Sequence, residues 1–177
     1  MNITSAIEKA KPIVYEMLRD RKYTKIVEED DNIIIADDKL LVFFSKDQKI
    51  NKDNIQTFTS RELQTRNISH GIFVYPNSIT STAKNVVLQN RIDNIHIELF
   101  YIINLQYNIT KHRLVPKHQK LQGEEYKEIK TKFGKSLPRI YITDPIVRYY
   151  NFDKGDILKI FRNTSNGQLL VAYRIIV

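Results

Sequence analysis

The chain predicts an α/β (α+β) fold in two parts, and three patterns carry that expectation. Apolar residues at helical spacing open the chain, short apolar runs then alternate with polar stretches as far as Ile103, and two apolar runs around an Asn-Gly turn close it. The expected organisation is an N-terminal α/β domain over residues 1–104, with a small mixed sheet and flanking helices. A small C-terminal α+β domain over residues 105–177 should follow and end in a β-hairpin.

The first helix is read from Ile3, Ile7, Ala10, Val14, Met17 and Leu18, with Ser5 and Glu8 placed as a capping box. Pro12 lacks a backbone donor, so the helix either kinks there or has its main body start there. Ile33–Ala36 and Leu40–Phe44 read as strands joined by a tight turn at Asp37-Asp38. A helix over Asn54–Arg66, a strand at Gly71–Tyr75, a helix from Ser81 to Leu88 and a strand near His96–Ile103 complete the first domain. In the second, Glu124–Phe133 reads as a helix ended by Gly134. Asp144 is placed to cap a short helix that begins at Pro145 and ends around Tyr150. Asp156–Arg162 and Gln168–Val177 read as the closing hairpin across Asn163–Gly167.

Composition narrows the chemistry. The chain has 177 residues, 42% hydrophobic and 27% charged, which is enough to bury a core. No apolar run approaches the ~18–20 residues of a membrane span, and Met1–Ser5 lacks the plan of a signal peptide. There is no cysteine, which excludes disulfides, thiolate metal sites and cysteine nucleophiles. The net charge of +8 is uneven: residues 1–104 hold 14 Lys/Arg and 14 Asp/Glu, whereas residues 105–177 hold 14 and 6. The N-terminal part alone should therefore not grip DNA strongly.

The most informative block is His112-Arg113-Leu114-Val115-Pro116-Lys117-His118, then Leu137-Pro138-Arg139, then Thr143-Asp144-Pro145-Ile146-Val147-Arg148-Tyr149-Tyr150. Its prolines, capping residues and aromatics are of the kind that fix the shape of a small surface. The block resembles the assembly domain of the fifth subunit of eukaryotic-type DNA-dependent RNA polymerase, a family that includes a shorter archaeal counterpart. Glu16–Tyr23 is similar to a segment of that family's N-terminal domain, with Lys22 where the family has Gly. Thr80-Ser81-Thr82-Ala83-Lys84 resembles a motif of the family's jaw domain, with Ser81 in place of a proline.

The residues themselves offer little catalytic apparatus. His112 and His118 are six positions apart with a proline between them and match no usual zinc spacing; the reading preferred is that both imidazoles make fixed hydrogen bonds. Asp37, Asp38, Asp93 and Glu98 flank apolar strands and raise a small metal-dependent nuclease, but they lack the acidic-x-Lys strand pattern. No Ser-His-Asp set, phosphate loop or nucleotide fingerprint is present, so no catalytic residue, metal ligand, cofactor or small-molecule ligand is assigned. Thr80, Ser81 and Lys84 combine a hydroxyl cap, free amides and a cation, a modest phosphate-contact site as well as ordinary capping. Arg174 lies on one face of the last strand and either sends its head to water or pairs with a partner's carboxylate.

What the resemblance implies is a non-catalytic polymerase subunit. His112, Leu114, Val115, Pro116, His118, Leu137, Pro138, Arg139, Asp144, Pro145, Arg148 and Tyr149 would dock on the largest subunit, among other polymerase subunits. Thr80, Ser81 and Lys84 would lie near downstream duplex DNA in the lower jaw, touching backbone weakly, with no role for a membrane. The jaw is shorter than is usual in eukaryotic members, and the archaeal counterpart lacks one. The expected location is intracellular with the transcription machinery, in a nucleus, a host cytoplasm or a virion. Heavy use of Ile, Asn, Lys and Tyr suits an AT-rich genome such as that of a large DNA virus. The competing readings are a stand-alone basic DNA-binding protein and the nuclease.

Overall fold

Asn2 starts the first helix: its side-chain oxygen accepts from the Thr4 amide at 3.1 Å, and α1 runs unbroken from Ile3 to Asp20 in the computed structural model, which describes residues 2–163 and 167–177. Ser5 therefore lies inside the helix and is not its cap, and the helix neither ends nor begins at Pro12. An interior proline costs about 3 kcal/mol. Ala6, Ile7, Ala10, Val14, Met17 and Leu18 are all buried, and the larger side chains among them each contribute roughly 1.5–3 kcal/mol. Burial wins, and the helix passes through the proline.

The helix stops where Lys22 takes φ +73°. The Tyr23 amide then bonds the Leu18 carbonyl at 3.0 Å and the Lys22 amide bonds Arg19 at 2.9 Å, closing a left-handed helix end.

A five-stranded sheet follows, built from β1 (Ile26–Asp30), β2 (Ile33–Ala36), β3 (Leu40–Phe44), β5 (His70–Tyr75) and β7 (His96–Tyr101), in the order β1-β2-β3-β5-β7. The first three strands are antiparallel, and β5 and β7 join in parallel. Asp37 and Asp38, at φ +50° and +54°, are the left-handed central pair of the β2–β3 turn, which the Lys39 amide closes on the Ala36 carbonyl at 3.0 Å. Two short strands, β4 (Lys49–Ile50) and β6 (Ser78–Ile79), pair with each other.

Parallel pairing requires crossovers, which α2 (Lys52–Thr57), its π-helical continuation Phe58–Gln64, and α3 (Ser81–Ile92) supply. These elements cover one face of the sheet, where Leu41, Phe73 and Ile97 meet Phe58, Leu63 and Ala83. The rings of Phe43, Phe58 and Phe73 stand 5.2–5.6 Å apart. Gly71 is needed here: a Cβ would fall 2.8 Å from the Phe58 ring and 3.0 Å from Leu63.

Met1–Tyr107 and Asn108–Val177 are separate compact units. The second contains β8 (Lys117–Lys120), α4 (Gly123–Phe133), β9 (Arg139–Ile140), α5 (Pro145–Tyr150), β10 (Ile157–Asn163) and β11 (Leu169–Ile176). Its sheet runs β8-β10-β11-β9, antiparallel except for β9 against β11. Ile140, Val147, Leu158, Ile160 and Ile176 form one apolar cluster, and Leu121, Ile129, Leu137 and Ile157 form another. Gly134 ends α4 at φ +47°, as its sequence position predicts. The β10–β11 turn expected across Asn163–Gly167 falls largely on residues 164–166, outside the described ones; Gly167 has φ +76°. The whole is a mixed α+β fold, as expected.

Two substitutions test these backbone arguments in denaturant titrations of the full chain. Lys22→Gly should stabilise the fold by about 1 kcal/mol by relieving a left-handed side chain. Gly71→Ala should destabilise it by about 1–3 kcal/mol through overpacking against Phe58.

Candidate functional site

The block singled out in the sequence is held by local bonds. The Leu114 amide donates to His112 Nδ1 at 3.3 Å, and His118 Nδ1 donates to the Pro116 carbonyl at 2.8 Å. Both imidazoles are thus engaged with backbone. Burial pushes the His118 imidazole below its usual value, against the opposing effect of the Pro116 bond. Asp144 Oδ1 accepts from the Ile146 amide at 2.9 Å, and Pro145 opens α5 where its missing donor costs nothing. Asn108 Nδ2 donates to the Tyr149 hydroxyl at 3.0 Å, anchoring α5 from the start of the unit.

Not every residue of the block reaches the surface. Leu137 is 5% exposed and Tyr149 3%, so both serve packing, and their contribution to a surface is to shape it. His112, Leu114, Pro138, Arg139 and Pro145 are exposed, while Val115, Pro116, His118, Asp144 and Arg148 are half-buried. Arg174 Nη1 donates to the Arg139 carbonyl at 3.0 Å in an exposed setting.

A groove of about 730 Å³ joins this block to the closing hairpin. Its charged walls are Arg113, Lys117 and Arg162, its apolar ones include Leu114, Phe161 and Leu169, and no carboxylate among the described residues lines it. Leu114 is 75% exposed, Leu169 61% and Leu170 51%, so aliphatic surface is bare on and beside this groove. The sequence signal for this surface is Leu169-Leu170-Val171, an apolar run whose exposure only the fold reveals.

In the first unit, Thr80 caps α3, its hydroxyl accepting from the Ala83 amide at 3.2 Å and meeting the Thr82 hydroxyl at 3.0 Å. Ser81 and Lys84 are exposed on the same turn. The carboxylates that raised a nuclease are placed apart. Asp37 accepts from the Thr24 and Lys25 amides, Asp38 pairs with Lys25, and Asp93 ends α3.

Glu98 has a different role, unseen in the sequence. Arg21 grips it with two bonds of 2.7 and 2.8 Å, and His70 Nε2 donates to it at 2.8 Å. The Arg21 and Glu98 side chains are only 4% and 9% exposed. His70, His96 and Glu98 are the one group among the described residues with metal-ligand spacing. The guanidinium already saturates the carboxylate and would repel a dication, so the arrangement is that of an ion pair joining the end of α1 to β7.

Burial alone would raise the Glu98 pKa, but Arg21 and His70 outweigh it and hold the carboxyl at about 2, below its ordinary 4.5. A folded value below the unfolded one means that this stability is complete above about pH 4.5 and is lost as pH falls toward 2. Glu98→Gln should cost about 3–5 kcal/mol at neutral pH by removing the carboxylate charge that faces the buried Arg21 guanidinium. In urea titrations the gap between wild type and variant should narrow over that acid range.

Residues 107–176 match the model of the family described as RNA polymerase Rpb5, C-terminal domain. The DNA-directed RNA polymerases I, II, and III subunit RPABC1 of Caenorhabditis elegans is 32% identical over 79% of this chain and 67% of its own length. The corresponding subunit of Dictyostelium discoideum is 31% identical over 99% of this chain and 88% of its own. The DNA-directed RNA polymerase subunit 5-like protein 1 of Arabidopsis thaliana is 30% identical over 95% and 94%. With similarity along almost the whole length and the C-terminal unit matched from end to end, the chain belongs to the Rpb5 family, that of the fifth subunit of DNA-directed RNA polymerase.

Proposed function

We propose that this chain is a non-catalytic subunit of a multisubunit DNA-dependent RNA polymerase, whose C-terminal unit docks on the largest subunit. The observation that carries this reading is the exposed groove of Arg113, Lys117 and Arg162 with its bare aliphatic residues, built on the segment that matches the family. Magnesium and nucleotide chemistry then belong to the large subunits. The N-terminal unit forms part of the lower jaw, where Thr80, Ser81 and Lys84 face downstream duplex DNA. Its equal count of 14 cations and 14 anions favours contact only when the jaw is held near DNA by attachment, through effective concentration. A stand-alone DNA-binding protein would need its own tight grip on the duplex.

Affinity purification from the native source tests the reading: the chain should recover the two largest polymerase subunits in stoichiometric yield. Arg148→Glu should release it from the complex, whereas Thr80→Ala and Lys84→Ala should leave assembly intact and weaken downstream-DNA crosslinking alone. The free chain should bind duplex DNA weakly and lose that binding steeply with salt; tight, sequence-selective binding by the free chain would overturn the proposal.

A further inference from the structure

The hydrogen bonds of β11 divide it into two halves. Ile176 donates to Asp156 and accepts from Gly155, so the even-numbered residues turn their backbone groups toward β10 and its approach. Ile175 and Val177 donate the other way, to Pro138 and Ile140, so the odd-numbered residues face β9. Among the described residues, β9 pairs with β11 at Ile175 and Ile176 alone. Extending that parallel register by one step would need an N–H from residue 138 to the Tyr173 carbonyl, and Pro138 has none. Among the described residues, no strand pairs with the outer edge of β11 from Leu169 to Tyr173.

The sequence of that edge carries none of the usual protections. Leu169-Leu170-Val171-Ala172-Tyr173 contains no charge, no proline and no glycine, while Leu169, Leu170 and Val171 are 61%, 51% and 38% exposed. A groove whose 113–117 wall lies across β10 from β11, where Lys117 pairs with Phe161, is lined, among the described residues, by three cations and no carboxylate. A second copy is a poor occupant, since it would bring together two units that are both strongly basic, with 14 Lys/Arg against 6 Asp/Glu over residues 105–177.

We propose that a neighbouring polymerase subunit adds an extended, acidic segment as a fifth strand along β11, bonding the outward backbone groups of Leu169, Val171 and Tyr173. This inference rests on the docking reading above and specifies its mode. The new ladder supplies affinity, and alternate side chains of the segment read the apolar surface on either face of the hairpin. Carboxylates of the segment complement the cationic surplus of this unit, 14 Lys/Arg against 6 Asp/Glu over residues 105–177, with Arg162 on β10 opposite Leu170.

The mode predicts a difference between two changes at one position. Val171→Pro removes an outward donor and leaves the bonds to β10, which come from the even-numbered residues; proline is tolerated at such an edge position. Val171→Ala removes side chain and keeps the donor. Each full-length variant is expressed with a tagged largest subunit, and its incorporation is measured beside wild type after matched thermal melts show that it is folded. Val171→Pro should lower incorporation at least tenfold and Val171→Ala less than twofold. Hydrogen exchange should show Leu169, Val171 and Tyr173 amides protected in the polymerase and open in the free chain. Equal incorporation of the proline variant, or equal losses for both variants, would overturn strand addition while leaving docking in place. Unchanged incorporation of Arg162→Glu would overturn the acidic assignment, and a Val171→Pro-sensitive homodimer would assign the edge to a second copy. Failure of wild type itself to join the polymerase would remove the docking reading and this inference with it.

Discussion

Backbone hydrogen bonding along β11 sets the character of the C-terminal unit. Over Ile175 and Ile176 the strand is bonded on both edges, to β10 and to β9. There both sheet faces are covered, one by the cluster of Ile140, Val147 and Leu158, the other by Leu121, Ile129 and Leu137. Over Leu169–Tyr173 the strand is bonded, among the described residues, on one edge only, and the apolar side chains around its start are bare. An unpaired strand edge beside exposed aliphatic surface is a ready template for another strand. Pro138 marks the change from one regime to the other through a single missing donor.

The N-terminal unit depends on charge held out of water. Arg21 and Glu98 are 77 positions apart and almost fully buried, and each would be expensive without the other. Their pair fixes the end of α1 against the last strand of the sheet, and the left-handed turn at Lys22 follows at once. The same pair disposes of the metal reading, because the carboxylate that two histidines approach is already neutralised. Positive charge is divided unevenly along the chain, with the surplus in residues 105–177.

Local signals in the sequence are reliable where one residue type answers one backbone need. Asp144-Pro145 forms the cap it should, Gly134 ends its helix, and Asp37-Asp38 makes the expected turn. They fail where distant residues intervene. β1 has no sequence signal because Ile26-Val27-Glu28-Glu29-Asp30 shows no alternation; it is held instead by Glu28 with Lys11 and Tyr15, and by Glu29 with Arg66. The π-helical stretch Phe58–Gln64 has no short-range signature. Asn2 displaces Ser5 as the first cap because burial of the α1 stripe extends the helix to Ile3.

The sequence by itself determined the family, the mixed fold class, the charge division and the local caps, because each is written in residue types a few positions apart. Only the tertiary structure decided which members of the His112–Tyr150 block are surface and which are core. Leu137 and Tyr149 look like their exposed neighbours until packing encloses them. It also decided that Arg174 serves the Arg139 carbonyl, that Glu98 belongs to Arg21, and that the outer edge of β11 stands open among the described residues. Pairing, burial and edge exposure depend on residues brought together across the fold, and no local pattern encodes them.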